Sequence, residues 1–221
     1  MKLTFISDTH SLHAQLPPLG SGDVLVHCGD FTGRGNLVDT MDFAGFIAAQ
    51  DFTHKIVIAG NHDRCFEDER RLEAEACLHD HGIIYLNDSG VVLEGLKFWG
   101  SPIQPAFFDW AFNRERGADI RRHWALIPAG TEVLITHGPP WERLDRCTHG
   151  ARVGCEELLT VVERIRPRIH AFGHIHEDYG VLEREGTVFV NACSLNEQYQ
   201  VVNGPISLEI ARALPVRLRP C

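Results

Sequence analysis

Five short apolar runs each lead directly into Asp, Asn or His, and this repeated feature constrains the fold more than any other. The runs are rich in β-branched and aliphatic residues and are short enough to be buried strands. They are Leu3–Ile6, Val24–Val26, Ile56–Ala59, Val133–Ile135 and Ile169–Phe172. Because ligands bind at the carboxyl ends of strands in open α/β sheets, strands of this kind would bring the polar residues together.

The residues that follow these runs are those of a metal site. In chain order they are Asp8-Thr9-His10, Gly29-Asp30, Gly60-Asn61-His62-Asp63, Thr136-His137-Gly138-Pro139-Pro140 and Gly173-His174-Ile175-His176. Their imidazole, carboxylate and amide groups suit divalent metals such as manganese, iron or zinc. Each segment alone is also explained as a turn or as the end of a strand, since Asn, Asp and Gly favour turns. A shared site explains all five segments at once.

The remaining periodicity predicts further strands and four helices. The strands are Gly82–Leu86, Val91–Glu94, Leu96–Trp99, Thr187–Val190 and Ile206–Ile210, and the helices are Leu37–Gln50, Glu67–His81, Ala118–Ala125 and Val153–Ile165. Early strands alternate with helices, whereas later strands come in pairs. This order predicts an α/β fold of two packed sheets with helices outside, in a single domain over residues 1–221.

Composition and charge limit the classes of partner. The net charge of −9 gives no general attraction for a nucleic-acid backbone, so we expect no extended nucleic-acid surface. We expect no membrane span, because no apolar run approaches the roughly 18–20 residues that a span needs. The seven cysteines are scattered and odd in number, which favours reduced thiols and a cytoplasmic location. The N-terminus reads as a strand and not as a signal peptide.

The order of the motifs resembles that of the calcineurin-like metallophosphoesterases. The sequence is more similar still to the metallophosphoesterase-domain-containing proteins. That similarity adds the segments Gly100–Pro105, Ile127-Pro128, Arg152–Cys155 and His174–Gly180, and it extends from Asp8 to about Pro205. The resemblance implies a calcineurin-like four-layer α/β/β/α sandwich, in which two mixed β-sheets are flanked by helices.

The resemblance also implies two divalent metal ions, with manganese expected and iron, cobalt, nickel or zinc as alternatives. Asp8, His10 and His176 would hold the first ion, Asn61, His137 and His174 the second, and Asp30 both. The implied activity is hydrolysis of small phosphodiesters or nucleotides, especially cyclic nucleotides, by in-line attack of a metal-bridging hydroxide. A phosphomonoesterase or a nuclease with the same metals stays open, as does a metal-bound interaction module without turnover. A homodimer is also left open.

The resemblance gives three residues a role toward the substrate. His62 would contact the phosphate and protonate the leaving group, with a role as a supporting histidine as the alternative. Asn61 and Arg34 would contact phosphate oxygens, although a surface salt bridge explains Arg34 equally well. Related phosphoprotein phosphatases carry an Asp at the position of Gly33, and its absence favours a phosphodiesterase over a protein phosphatase.

Other segments are weaker candidates for substrate contacts. The aromatic segment Phe107–Phe112 would stack on a nucleobase or pack in the core. The stretch Trp141–Gly150, with Arg143, Arg146 and His149, would form a wall of the site or lie in solvent. Asn191 and His13 are marginal candidates near the metals.

Overall fold

The computed structural model describes residues 1–211 and leaves residues 212–221, which include Cys221, outside the description. In chain order the strands are β1 (Lys2–Ile6), β2 (Gly22–His27), β3 (Phe52–Val57), β4 (Ile84–Tyr85), β5 (Ser89–Leu93), β6 (Leu96–Ser101), β7 (Gln104–Pro105), β8 (Asn113–Arg114), β9 (Val133–Thr136), β10 (Ile169–Phe172), β11 (Gly180–Arg184), β12 (Thr187–Asn191) and β13 (Ile206–Glu209). One sheet has the order β13-β1-β2-β3-β4, and a second has the order β11-β12-β10-β9-β6-β5. A short pair, β7 and β8, stands apart.

Both sheets are mixed, with parallel strands at their centres. Strands β1 to β4 pair in parallel, and β13 lies antiparallel to β1 at one edge. In the second sheet β6, β9, β10 and β12 are parallel, and β5 and β11 are antiparallel edge strands. The exits of β1 and β12 meet at an isolated bridge between Ser7 and Cys193. The bridge ties the two sheets together at their carboxyl ends.

Side chains on the facing sides of the two sheets form one hydrophobic core. Leu3 and Phe5 of β1 pack there with Val133 and Ile135 of β9, and all four are fully buried. A second cluster covers the outer faces of the sheets and includes Ile6. This alternation along β1 is what a strand buried on both faces requires. It confirms the predicted α/β/β/α sandwich of two mixed sheets, whereas the single-domain assignment stays a prediction.

Within residues 1–211, four α-helices cover the outer faces: α1 (Leu37–Ala48), α2 (Arg71–Asp80), α3 (Ala118–Trp124) and α4 (Glu156–Ile165). Helix α4 begins three residues after the predicted Val153, because Cys155 has an extended backbone and its thiol accepts the N–H of Leu158. It ends at Ile165, and the residue that caps it, Arg166, has a left-handed backbone and precedes Pro167. Among residues 1–211, none of the helices has the length and hydrophobicity that a membrane crossing needs.

Strands β3 and β11 differ from the sequence prediction, and the short strands β7 and β8 were not predicted either. Strand β3 extends from Phe52 to Val57, so it begins before the predicted Ile56 and ends before the predicted Ala59. Strand β11 was not predicted, because its exposed residues carry no apolar alternation. It forms through pairing with β12, and Glu185 and Gly186 between the strands have φ angles of 56° and 84°. Such a turn matches the twist of a two-residue hairpin.

Candidate metal centre

The loops after β1 and β2 place three predicted ligands side by side. Asp8, His10 and Asp30 are buried, with 0%, 8% and 2% of their surfaces exposed. The N–H of Asp8 donates to the carbonyl of Gly29, and the N–H of His10 donates to the carbonyl of Asp30. These backbone hydrogen bonds hold the two loops against each other beyond the ends of the strands, so the side chains start from fixed positions.

The backbone of these loops is left-handed at residues that are not glycine. The φ angles are 52° at Asp8, 40° at His10 and 57° at Asp30, and His174 after β10 has a φ of 68°. Non-glycine residues in this conformation cost free energy, and they cluster at functional sites. Four of the seven predicted metal ligands therefore stand where the backbone itself is strained.

Asp30 is the carboxylate that joins two groups of possible ligands. Its Oδ2 lies 3.7 Å from Nε2 of His10 and 3.4 Å from Nε2 of His137. It belongs to one cluster with His10 and His62 and to another with His137 and His174. A single carboxylate shared by two clusters is the arrangement that a bridging ligand needs.

Asp8 is held by one of its oxygens and presents the other. Its Oδ2 accepts the N–H of His174 at 2.9 Å and the thiol of Cys193 at 3.2 Å. Its Oδ1 accepts no hydrogen bond from residues 1–211 and lies 3.3 Å from Nε2 of His176. Asp8, His176 and Cys193 together form a third cluster that can hold a metal. The free oxygen of Asp8 is therefore directed toward His176.

Two of the histidines are oriented through their Nδ1 atoms. Nδ1 of His137 lies 3.0 Å from the carbonyl of Cys28, and its Nε2 lies 2.9 Å from Oδ1 of Asn61. Nδ1 of His176 lies 3.0 Å from the carbonyl of Asn196. A carbonyl that accepts from one ring nitrogen fixes the ring and leaves the other nitrogen for a metal. Both rings are thus prepared as ligands through Nε2.

Glycines leave room for the two carboxylates. A Cβ atom at Gly60 would collide with Oδ1 of Asp30, and one at Gly173 would collide with Oδ2 of Asp8. Any larger residue at these two positions would push the carboxylates out of place. The glycines that precede Asn61 and His174 are therefore part of the site.

The charges at the centre favour bound cations. Burial raises the pKa of Asp30 and of Asp8, but His137 and His176 outweigh burial and hold both pKa values below their usual range. Burial opposes protonation of the two histidines, yet Asp30 raises the pKa of His137 to about 9 and Asp8 raises the pKa of His176 to about 9. Positive charge at these histidines balances the buried carboxylates, which is the role a divalent ion would take.

The surroundings of the other two predicted histidine ligands, His10 and His174, favour the neutral imidazole. Burial lowers the pKa of His10 to about 4, although Asp30 and Asp8 oppose the shift. Burial and the charge of His137 lower the pKa of His174 to about 3. Neutral imidazole is the form that binds metals. Both ring nitrogens of His10 are buried without a hydrogen bond among residues 1–211, so this group fits a metal ligand.

Asp63 organises the backbone around the site without facing it. Its carboxylate accepts the N–H groups of Asp30 at 2.9 Å, Gly60 at 2.8 Å and Thr32 at 2.9 Å, and the hydroxyl of Thr32 at 2.7 Å. These bonds tie the loop after β2 to the loop after β3. The sequence suggested a supporting role for Asp63, and these contacts are of that kind.

The pocket in front of these ligands, here called the metal pocket, has a volume of about 350 Å³. Its lining residues are His10, Asp30, Asn61, His62, Phe107, Phe108, Trp110, His174, His176, Glu177, Glu197 and Tyr199. The ring of Trp110 stacks on His62 with centroids 4.1 Å apart. The ring of Tyr199 lies 4.9 Å from that of His10. The predicted ligands therefore open onto a pocket with aromatic walls.

A family model described as calcineurin-like phosphoesterase matches residues 1–178. The chain belongs to the calcineurin-like phosphoesterase family. This membership makes it a metal-dependent phosphoesterase by family, and it confirms the sequence resemblance. Proteins of this family use divalent metal ions, and the side-chain clusters around Asp8 and Asp30 are suited to hold them.

Relatives support the assignment over nearly the whole chain. Metallophosphoesterase domain-containing protein 1 of Homo sapiens is 41% identical over 229 residues, which cover 93% of this chain and 69% of the human protein. A UPF0046 protein of Caenorhabditis elegans is 36% identical, and the match covers 95% of this chain but 60% of that protein. The structure titled Phosphopantetheinyl Hydrolase (PptH) from Mycobacterium tuberculosis superposes with a TM-score of 0.61 at 15% identity, covering 90% of each chain. The last comparison shows the shared fold alone.

The structure of this calcineurin-like phosphoesterase gathers most, but not all, of the predicted site residues. The predicted residues within the three clusters or the metal pocket are Asp8, His10, Asp30, Asn61, His62, His137, His174 and His176. Arg34 is exposed, does not line the metal pocket, and makes no hydrogen bond or ion pair within residues 1–211. Its contact with phosphate stays a prediction.

The weaker candidates lie in different places. Of the aromatic segment, Phe107, Phe108 and Trp110 line the metal pocket. Asn191 does not line the metal pocket. Its Nδ2 donates to the carbonyl of Ile175 at 2.7 Å and so supports the backbone between His174 and His176. His13 bonds Asp42 at 3.0 Å, away from the metal pocket.

The stretch Trp141–Gly150 does not form a wall of the metal pocket in the described part of the chain. Its Arg143 is buried against the ring of Phe189, with the guanidinium 5.4 Å from the ring centroid. His149 at the tip of this stretch is exposed. The walls of the metal pocket are therefore formed by other residues.

Cys193 and Tyr199 are contacts that the sequence did not predict. Both follow β12, whose exit carries neither a histidine nor a carboxylate, so the pattern that marked the other strand ends is absent there. The one feature of the sequence that could have indicated these residues is that another strand ends at Asn191, shortly before them. Cys193 reaches Asp8 only because the bridge to Ser7 brings the two strand exits together.

We expect Cys193→Ala to weaken metal binding and Cys193→Ser to preserve most of it. The alanine variant loses one of the two donors that hold Oδ2 of Asp8, and loss of such a supporting hydrogen bond typically costs about 10–100-fold in metal affinity. Serine keeps a donor at the same place. Competition titration of each variant with manganese and a chelating dye measures the affinity. Equal weakening in both variants would instead make the thiol itself a metal ligand.

Proposed function

We propose that this protein is a binuclear metal-dependent phosphodiesterase that hydrolyses small phosphodiesters, with cyclic nucleotides as the first substrates to test. One observation carries the proposal: Oδ2 of Asp30 lies 3.7 Å from His10 and 3.4 Å from His137, so one carboxylate serves two ligand groups. Asp8, His10 and His176 would complete the first group, and Asn61, His137 and His174 the second. Manganese is the proposed metal, with iron, cobalt, nickel and zinc as alternatives.

In this proposal the metal ions would activate the water and the phosphoryl group, and the protein would position the ions and the substrate. Two divalent ions would polarise the phosphoryl oxygens and lower the pKa of a water between them. Asp30 would set the separation of the ions, and Asp8 would complete the first ion's ligands with the oxygen that its other partners leave free. Asn61, which lines the pocket, and Arg34 are the proposed contacts to phosphate oxygens.

His62 is the proposed proton donor to the leaving group. Its Nδ1 lies 2.8 Å from the carbonyl of Gly33, which leaves Nε2 for the substrate. Its backbone N–H donates to Oδ1 of Asp30 at 2.8 Å, and Trp110 stacks on its ring. Protonated His62 would transfer a proton from Nε2 to the leaving oxygen as the bond from phosphorus to that oxygen breaks.

The carbonyl of Gly33 orients His62 where related phosphoprotein phosphatases use a carboxylate. A carbonyl fixes the ring as well as a carboxylate does, but it adds no negative charge to stabilise the imidazolium. The difference supports a phosphodiesterase over a protein phosphatase. The aromatic rings of Phe108 and Trp110 support a substrate with a planar group, because base–aromatic stacking contributes about 1–3 kcal/mol per base.

Metal replacement tests the proposal directly. The protein is stripped of metal, and manganese, iron, cobalt, nickel or zinc is added back before assay. We expect activity to return with metal, and kcat/KM for bis-p-nitrophenyl phosphate and a cyclic nucleotide to exceed that for p-nitrophenyl phosphate. A preference for the monoester would favour the phosphomonoesterase alternative. Cleavage of an oligonucleotide alone would favour a nuclease, and metal binding without any turnover an interaction module.

A cytoplasmic site of action is also part of the proposal. Six cysteines in residues 1–211 are free thiols, as expected in a reducing compartment. Cys193 and Cys28 lie beside the proposed ligands, where burial raises the pKa of both thiols well above its usual value. Thiols held in the neutral form in this way resist oxidation.

A further inference from the structure

A second cavity adjoins the metal pocket and has no part in the chemistry described above. This cavity, here called the side cavity, has a volume of about 400 Å³. Its own lining includes Pro105, Pro139, Cys147, Arg152, Val153 and Ile175. It shares Phe107, His174 and Glu177 with the metal pocket. The two cavities therefore meet at a residue that we propose as a metal ligand.

The ring of Phe107 stands at the boundary between the cavities. Its centroid lies 6.2 Å from that of His174 and 4.4 Å from that of Phe108, and 52% of its surface is exposed. Phe108 and Trp110 line the metal pocket but not the side cavity. A phosphate group beside His174 would thus have one cavity on each side of Phe107.

We propose that the side cavity binds the second organic group of an acyclic phosphodiester, the group that stays esterified to phosphorus. The leaving group would occupy the metal pocket beside His62. In the reaction a water oxygen bonds to phosphorus and releases a proton to solvent, the bond from phosphorus to the leaving oxygen breaks, and that oxygen takes a proton from Nε2 of His62. The retained group then departs as a monoester. This inference rests on the proposed phosphodiesterase function and adds acyclic diesters to the small phosphodiesters that it would hydrolyse.

The geometry separates three classes of substrate. A phosphomonoester has no second organic group, and a cyclic nucleotide has one organic group joined to phosphorus twice, so neither would occupy both cavities. An acyclic diester places one group on each side of the phosphorus. Two cavities of about 350 and 400 Å³ that meet at His174 fit the acyclic diester.

The lining of the side cavity indicates which retained group fits. The walls at Pro139, Val153 and Ile175 are apolar, as in most small-molecule sites. Arg116 also lines the side cavity, where its guanidinium is held by the carbonyls of Gly154 and Val153, both at 3.0 Å. An aromatic or apolar group with a hydrogen-bond acceptor at its edge would satisfy both features.

The test uses two diesters with the same leaving group and different retained groups. Bis-p-nitrophenyl phosphate retains an aromatic ring, and methyl p-nitrophenyl phosphate retains a methyl group. The variant Val153→Phe fills the side cavity at a residue that is 37% exposed. We expect kcat/KM for the aromatic diester to fall about tenfold or more, as for a pocket that has lost space for its ligand. The value for the methyl diester should change less than about twofold, because that substrate leaves the cavity empty.

Control variants separate this effect from a general loss of activity. Val92→Phe makes the same substitution on the edge strand β5, where Val92 is 63% exposed, and should alter neither diester. Ala106→Phe adds bulk at another exposed lining residue and should repeat the selective loss. A cyclic nucleotide should be hydrolysed equally by the parent and by Val153→Phe.

Two results would overturn the inference. Equal loss for both diesters in Val153→Phe and Ala106→Phe would mean that the cavity supports the site and binds no group. No loss for either diester would mean that the retained group lies elsewhere. A parent protein that hydrolyses p-nitrophenyl phosphate but neither diester would show that the proposed phosphodiesterase function itself is wrong.

Discussion

Asp30→Ala should abolish turnover and release both metals. The carboxylate of Asp30 is the group shared by the two ligand clusters, so its removal takes one ligand from each ion. It also leaves the N–H of His62 without the acceptor that it has at 2.8 Å. Because a divalent ion supplies several kcal/mol of transition-state stabilisation, we expect kcat/KM to fall about 10³-fold or more. Metal per chain, measured by atomic emission after gel filtration, should fall with it.

Two comparisons make this result specific. Asp80→Ala removes a carboxylate from helix α2 with 78% of its side chain exposed, and it should keep both metal and activity. His174→Gly should weaken the second ion only, because the proposed ligands of the first ion remain. Two metals per chain in Asp30→Ala would show that Asp30 does not bridge them.

His62→Ala should lower turnover much more than metal content. His62 has no place in either proposed set of ligands, whereas a general acid is worth about 10²–10⁴-fold in rate. The loss should depend on the leaving group. A p-nitrophenolate needs little protonation, so bis-p-nitrophenyl phosphate should lose less than a nucleotide that expels an alkoxide. Both substrates are assayed on the samples used for metal analysis.

His79→Ala is the matched control, since His79 on helix α2 has 90% of its side chain exposed. An equal loss for both substrates in His62→Ala would remove the role as a general acid and leave only phosphate binding. Loss of one metal would place His62 among the ligands, as its position in one cluster with His10 and Asp30 allows.

The sequence predicted the centre of the site because its signals are local. Asp8, Asp30 and His137 lie within three residues of the ends of β1, β2 and β9, and parallel strands end at the same edge of a sheet. The same patterns predicted the two sheets and the four helices, since burial on both faces leaves apolar runs and burial on one face leaves a stripe. These features can be predicted without knowing which distant segments of the chain contact each other.

The surroundings of the site depend on contacts between distant segments. Trp110 stacks on His62, Tyr199 packs on His10, and Cys193 bonds Asp8, yet none of the three lies beside a ligand in the sequence. Asn191 was predicted near the metals for its position, but it acts through a backbone carbonyl, which no sequence pattern encodes. Helix α4 also starts later than predicted. Val153 continues the apolar pattern of the helix, but its N–H donates to the carbonyl of Asp145 and not to a helical partner.

The left-handed backbone at Asp8, His10, Asp30 and His174 has a consequence for how such a protein can change. An ordinary residue in this conformation costs about 1–2 kcal/mol, whereas glycine adopts it freely. Selection for thermal stability alone would therefore favour glycine at positions that we propose as metal ligands. Variants selected in the laboratory only for heat resistance should keep the sandwich fold but lose proposed metal ligands, unless activity is also selected at every round.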